Sequence, residues 1–114
     1  MSVTTHVLDL AAGRPAAGVR VALDVRDGDG GCWRRLGEGA TDPDGRLSGL
    51  LPADRRLGPG AHRLVFDTGG WFADQGIEGF YPEVSVVFEV SDATQHFHVP
   101  LLLSPFGYST YRGS

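Results

Sequence analysis

The chain has 114 residues, of which 41% are apolar and 21% charged, a composition of one globular domain rather than a disordered segment. Its net charge is −4 and Lys and Arg form no run, so nucleic acid and acidic membrane surfaces are excluded as partners for want of a basic patch. A single cysteine, Cys32, rules out an intrachain disulfide, and no apolar run approaches a membrane span; with no basic or apolar leader after Met1, the expectation is a soluble cytoplasmic protein.

Seventeen Gly and seven Pro punctuate short runs rich in Val, Leu and Phe, and helical periodicity is absent over any length. The pattern predicts an all-β antiparallel sandwich, a single domain over 1–114. The first strand is expected at Thr4–Leu10, with His6 and Leu8 on one face and Val7 on the other. Gly13-Arg14-Pro15 ends it. The next two strands, Val19–Arg26 and Trp33–Ala40, flank a hairpin turn at Asp27-Gly28-Asp29-Gly30-Gly31. Asp42-Pro43-Asp44-Gly45 reads as a type I turn with Pro at its second position, and a weaker strand follows around Leu47–Leu50. Then come a strand at His62–Asp67, one short helix around Trp71–Gly76 and a strand at Val84–Val90. The last two strands, Phe97–Leu103 and Tyr108–Arg112, turn about Ser104-Pro105-Phe106-Gly107.

Alternation sorts the penultimate strand into a core face of Phe97, Val99, Leu101 and Leu103 and an opposite face of His96, His98, Pro100 and Leu102. An outer face that mixes histidines with exposed Leu8, Pro100 and Leu102 is a partner surface or a pocket wall. The chain then stops on Tyr111-Arg112-Gly113-Ser114, an aromatic, a guanidinium, a glycine and a carboxylate. Recognition groups at the very end are expected to belong to an active site, one that added residues would obstruct.

Thr5-His6-Val7-Leu8-Asp9, Thr41-Asp42-Pro43-Asp44-Gly45-Arg46 and the block from His96 through Pro100-Leu101-Leu102-Leu103-Ser104-Pro105 to Tyr108-Ser109-Thr110-Tyr111-Arg112-Gly113-Ser114 resemble the 5-hydroxyisourate hydrolases, transthyretin-related enzymes of urate catabolism. Gly13-Arg14-Pro15-Ala16 and Phe80-Tyr81-Pro82-Glu83-Val84 are similar to the family as well. The resemblance implies a prealbumin-like sandwich in a homotetramer, with active sites in a channel between two dimers. It also implies hydrolysis of the small molecule 5-hydroxyisourate without metal or cofactor. The family's site falls on His6, Arg46, His98 and Ser114 as catalytic residues, with Tyr111, Arg112 and Gly113 binding substrate.

The chemistry suits those side chains. Histidine transfers protons near neutrality, so His6 and His98 are expected to activate water and shuttle its proton, with the primary base left open between them. Arg46 supplies fixed charge toward the oxyanion, and Arg112 a planar donor fork for the ring edge. Tyr111 is expected to hydrogen-bond or stack on the ring, and the Ser114 hydroxyl and carboxylate to orient a histidine or a water.

Blander roles suit other residues. His62 and His96 read as surface or satisfied histidines, Arg55-Arg56 as a solvated loop pair, Trp71 and Phe72 as core or interface, and Cys32 as structural. His6, His96 and His98 have the makings of a three-histidine zinc site but lack a supporting carboxylate. The Asp27–Gly31 turn lacks the closing acidic ligand of a calcium loop. The competing function is a carrier that uses the same channel without catalysis. A channel lined by histidine and arginine favours a polar reacting substrate over a hormone-like one.

Overall fold

The computed structural model of the chain describes residues 2–28 and 30–114. In chain order the elements are β1 (Ser2–Asp9), β2 (Arg14–Pro15), β3 (Arg20–Arg26), β4 (Trp33–Ala40), β5 (Arg46–Leu47), β6 (Gly60–Phe66), α1 (Thr68–Asp74), β7 (Val84–Val90), β8 (His96–His98), β9 (Leu101–Ser104) and β10 (Gly107–Thr110). They form two sheets. One runs β4-β3-β6-β7, antiparallel throughout. The other runs β10-β9-β1-β2, with β5 and β8 also paired to β1.

Between the sheets lies the core. Val3, Val7, Leu23, Leu64, Phe66, Leu101 and Leu103 are buried together, and Phe97 and Val99 join them, which is the core face that alternation assigned to the penultimate strand. On β1 the odd positions from Val3 to Asp9 are buried and the even ones, Ser2 to Leu8, are half-buried. Each inward aliphatic side chain of this size contributes roughly 1.5–3 kcal/mol by leaving water. That alternation fixes which residues of β1 face outward.

Several features depart from the elements read from sequence. The segment expected as one strand over Phe97–Leu103 is two, β8 and β9, interrupted at Val99 and Pro100. Proline has no N–H to give to the ladder, so pairing lapses there. Side-chain bonding bridges the gap, with the Thr5 hydroxyl donating to the Val99 carbonyl at 2.6 Å. Both halves pair with β1 in parallel, Thr4 opposite His98 and Val7 opposite Leu101, within an otherwise antiparallel fold. Arg14–Pro15, expected only to end the first strand, adds a two-residue strand against Leu8 and Asp9. The helix begins earlier than expected because the Asp67 carboxylate caps it, accepting from the Gly70 N–H at 3.0 Å.

The turn at Asp42–Gly45 has the geometry that carries the chain from one sheet to the other. Gly45 donates to the Asp42 carbonyl at 2.8 Å, and the Asp42 carboxylate takes the N–H groups of Asp44 and Arg46 at 2.9 and 3.0 Å. Gly45 sits at φ 76°, a conformation open to glycine, and its carbonyl accepts from Val7 N–H at 2.7 Å. The turn is thereby fastened to β1, and Arg46 lands opposite His6. The hairpin expected at Asp27–Gly31 includes Asp29, which lies outside the described residues. On either side of it β3 and β4 pair antiparallel, Arg26 opposite Trp33.

Candidate active site

The outward face of β1 brings three of the anticipated residues together. His6 is half-buried on β1, Arg46 is exposed opposite it on β5, and His98 is half-buried on β8 beside Thr4. The His6 Nε2 lies 2.9 Å from the Asp44 carbonyl. A carbonyl only accepts, so Nε2 carries the proton, and neutral His6 keeps Nδ1 as its lone-pair nitrogen. His98 is held from the other end: its Nδ1 lies 2.8 Å from the Thr4 hydroxyl. Burial pushes the His98 pKa below the usual imidazole value, and the basic neighbours His96, His6 and Arg46 push it the same way. His98 is therefore neutral near pH 7, able to take a proton and equally able to give one from its ring N–H.

Gly113 completes this cluster. Beyond the end of β10 its N–H donates to the His98 carbonyl at 2.8 Å, in an antiparallel bridge. A Cβ at that position would stand 2.5 Å from His98 Cδ2 and 3.4 Å from Pro100 Cγ. Only glycine lets the tail lie flat against the histidine.

Other expected residues sit elsewhere. The Arg112 guanidinium lies 4.9 Å over the Phe97 ring and donates to Gln95 Oε1 at 3.0 Å. Since Phe97 faces the core side of β8 and His98 the other, Arg112 is turned away from the histidines. With Tyr111 it lines a groove of about 220 Å3 that also includes Phe88, Phe97 and Val99. Ser114 is exposed beyond Gly113. Pro100, expected to be exposed, is buried; Leu8 and Leu102 are half-buried. The returning tail covers Pro100, through Gly113 on its ring and the Thr110 hydroxyl on its carbonyl at 2.7 Å.

Two histidines behave differently from the ordinary roles given them. His62 has no exposed surface, packed 5.9 Å from the Phe88 ring, with Nδ1 on the Gly60 carbonyl at 3.0 Å and Nε2 without a partner. Its inward position was readable, since it precedes Leu64 and Phe66 at the same period-two spacing on β6. Burial lowers its pKa, so it is held neutral. His96 is exposed, as anticipated, but its ring stacks on that of His98 at 6.3 Å and 12° and shares Thr4 with it. Thr4 itself was missed. It lies two residues before His6, on the same face by simple alternation, but its contact with His98 depends on a parallel pairing that local pattern does not reveal.

Among the described residues no three His, Cys, Asp or Glu side chains converge in a metal-holding arrangement. Trp71 and Phe72 are structural: Phe72 is in the core and Trp71 Nε1 donates to the Ala17 carbonyl at 2.8 Å. Arg55, Arg56 and Cys32 are exposed. Among the described residues no helix is long and apolar enough to cross a membrane.

A two-sheet sandwich that carries paired histidines and an arginine outside its core is the class of protein described so far. Comparison with known proteins gives the family. Residues 3–113 match the model of the HIUase/Transthyretin family, and the chain belongs to it. A 5-hydroxyisourate hydrolase of Caulobacter vibrioides is 48% identical over 116 residues, covering 98% of this chain and 97% of the relative. The structure of Klebsiella pneumoniae 5-hydroxyisourate hydrolase superposes with a TM-score of 0.81 at 37% identity, covering 99% of this chain and 93% of the other. Sea bream transthyretin in complex with thyroxine superposes with a TM-score of 0.88 at 31% identity, covering 97% and 93%.

Proposed function

We propose that this chain is a 5-hydroxyisourate hydrolase, opening the substrate ring to 2-oxo-4-hydroxy-4-carboxy-5-ureidoimidazoline without metal or cofactor. The observation that carries the reading is the meeting of His6, Arg46 and His98 on one outward face, in a chain nearly half identical to relatives of that name. Water adds to the ring carbonyl, the C–N bond breaks, and the leaving nitrogen takes a proton. His6, with Nδ1 bare, accepts the proton of the attacking water. Arg46 faces the developing oxyanion with a charge that never titrates. His98 supplies the proton to the leaving nitrogen.

Gly113, Tyr111 and Arg112 are assigned to substrate binding, and the Ser114 hydroxyl to orienting a histidine or water. Arg112 must leave Gln95 and the Phe97 ring to reach the histidine face, so its loss should be read chiefly in KM. The site lies on an open sheet face beside half-buried Leu8 and Leu102. A homotetramer with this face turned toward a second dimer would exclude water from it, and residues 1–114 would act as one such unit. Cytoplasmic residence is part of the proposal: with one exposed cysteine, the fold needs no oxidising compartment.

The test is to generate 5-hydroxyisourate in situ from urate and follow its ultraviolet absorbance with and without chelator-treated protein. Accelerated decay that falls by about 10²–10⁴-fold in His98→Asn is expected for loss of a positioned acid–base group. Decay at the spontaneous rate with the wild-type chain refutes the hydrolase and leaves a carrier.

A further inference from the structure

The geometry points to a proton relay, Ser2–His96–Thr4–His98, in which His96 acts on the reaction through Thr4 as a positioning residue. The inference rests on the hydrolase reading and extends it to residues that reading does not use.

Thr4 stands between two imidazoles. Its hydroxyl lies 2.8 Å from His98 Nδ1 and 3.3 Å from His96 Nε2, and Ser2 Oγ sits on His96 Nδ1. A hydroxyl has one hydrogen and each neutral ring has one, so the chain has two polarities. In the first, His98 Nδ1–H donates to Thr4, Thr4 to His96 Nε2, and His96 Nδ1–H to Ser2. His98 Nε2 is then bare. In the second every bond is reversed, Ser2 donating to His96 Nδ1, His96 Nε2–H to Thr4 and Thr4 to His98 Nδ1. His98 Nε2 then carries a proton. His98 is an acceptor in one state and a donor in the other, and it changes between them only if His96 changes too.

The electrostatics of the face favour this route. The groups that face His98 are His96 from its own strand, His6 from β1 and Arg46 from β5, all basic, and partial burial adds to their effect. An imidazolium at His98 is disfavoured there. Through the relay neither an imidazolium nor an anionic ring need form: as His98 Nε2 gives its proton to the leaving nitrogen, the Thr4 proton passes to His98 Nδ1, the His96 Nε2 proton passes to Thr4 Oγ, and His96 Nδ1 takes up a proton by way of Ser2. One proton enters, one leaves, and both rings finish neutral. His96 is exposed, so that entry opens on solvent.

The experiment compares wild type, His96→Gln, Thr4→Val, Thr4→Ser and the Thr4→Val/His96→Gln double variant in 5-hydroxyisourate turnover. Long-range proton–nitrogen NMR reads the His98 tautomer in the same proteins without substrate. The relay predicts kcat losses of about 10–100-fold in His96→Gln and Thr4→Val, the range for a group that acts through another, with KM nearly unchanged. It predicts that Thr4→Ser restores most of kcat, and that the double variant is no worse than Thr4→Val alone. It also predicts a changed His98 tautomer in His96→Gln. Wild-type kcat in His96→Gln, losses that multiply in the double variant, or an effect on KM alone overturns it. An unchanged His98 tautomer overturns it whatever the substrate, whereas a wild-type chain that does not accelerate decay refutes the hydrolase reading itself.

Discussion

Gly113→Ala is the sharpest perturbation of the site, because a single methyl group is aimed at one ring. Gly113 is not among the glycines of positive φ, so alanine fits its backbone and the effect is steric alone. The new Cβ would stand 2.5 Å from His98 Cδ2, where carbon atoms prefer about 3.5–4.0 Å. The deficit is about 1 Å. Its neighbours cannot absorb it cheaply: the Gly113 N–H is tied to the His98 carbonyl at 2.8 Å, and the same Cβ would already stand 3.4 Å from Pro100 Cγ. Turning the His98 ring by about 30° costs roughly 0.5–1.5 kcal/mol and loosens Nδ1 from Thr4. A misplacement of about 1 Å in a reacting group costs on the order of 10²-fold in rate. Turnover of 5-hydroxyisourate should therefore fall by about that factor, with a melting temperature within a few degrees of wild type because the tail lies outside the core. Activity within about twofold of wild type would show that the tail does not set the histidine.

Arg46→Gln should lower kcat by about 10²–10³-fold, the usual loss for one oxyanion donor, and Arg46→Lys should recover only part of it; full activity in either variant removes Arg46 from the chemistry. Acid should destabilise the fold through His62. The unfolded chain takes up a proton near the ordinary value of 6.5, whereas the buried ring resists it, so stability is complete above that pH and declines below it by up to ~1.4 kcal/mol per unit. His98, lowered in the same direction, adds to it. His62→Phe should flatten the loss of melting temperature between about pH 7 and pH 5, and an unchanged slope would refute the assignment. Asp24→Ala tests the opposite sheet. Burial would raise the Asp24 carboxyl, but hydrogen bonds from Arg35 and Arg63 at 2.9 and 2.8 Å outweigh it and hold it below its usual value. Both arginines keep access to water, so the loss should be about 1–3 kcal/mol by urea unfolding, less than for a sealed pair.

The parts of the molecule legible in its sequence are those governed by near neighbours. Trp33–Ala40 and Val84–Val90 are strands at the expected bounds because alternation and flanking turns are local signals. The outward placement of His6 and His98 follows from the same alternation. What escaped depends on which strands lie side by side. The parallel seating of β8 against β1, and with it the Thr4–His98 contact, is a long-range register. Pro100 was expected in solvent because alternation names a face without saying what the tail will cover. Arg112 appears in sequence beside Gly113, yet one residue of strand geometry sends its side chain to Phe97 and away from His98.

Val7 and His6 are adjacent along the chain but answer to separate demands. Val7 is sealed between the sheets, where any change in its size disturbs the frame, while His6 projects from the far side, outside the core. The strands β1, β8 and β9 have this division, with an inward register held by packing and an outward register open to new chemistry. A scaffold of that kind can alter what it does to a small molecule without altering how it stands. That accounts in physical terms for one architecture serving both a hydrolase of Klebsiella pneumoniae and a thyroxine-bound transthyretin of sea bream, with TM-scores of 0.81 and 0.88 to this chain.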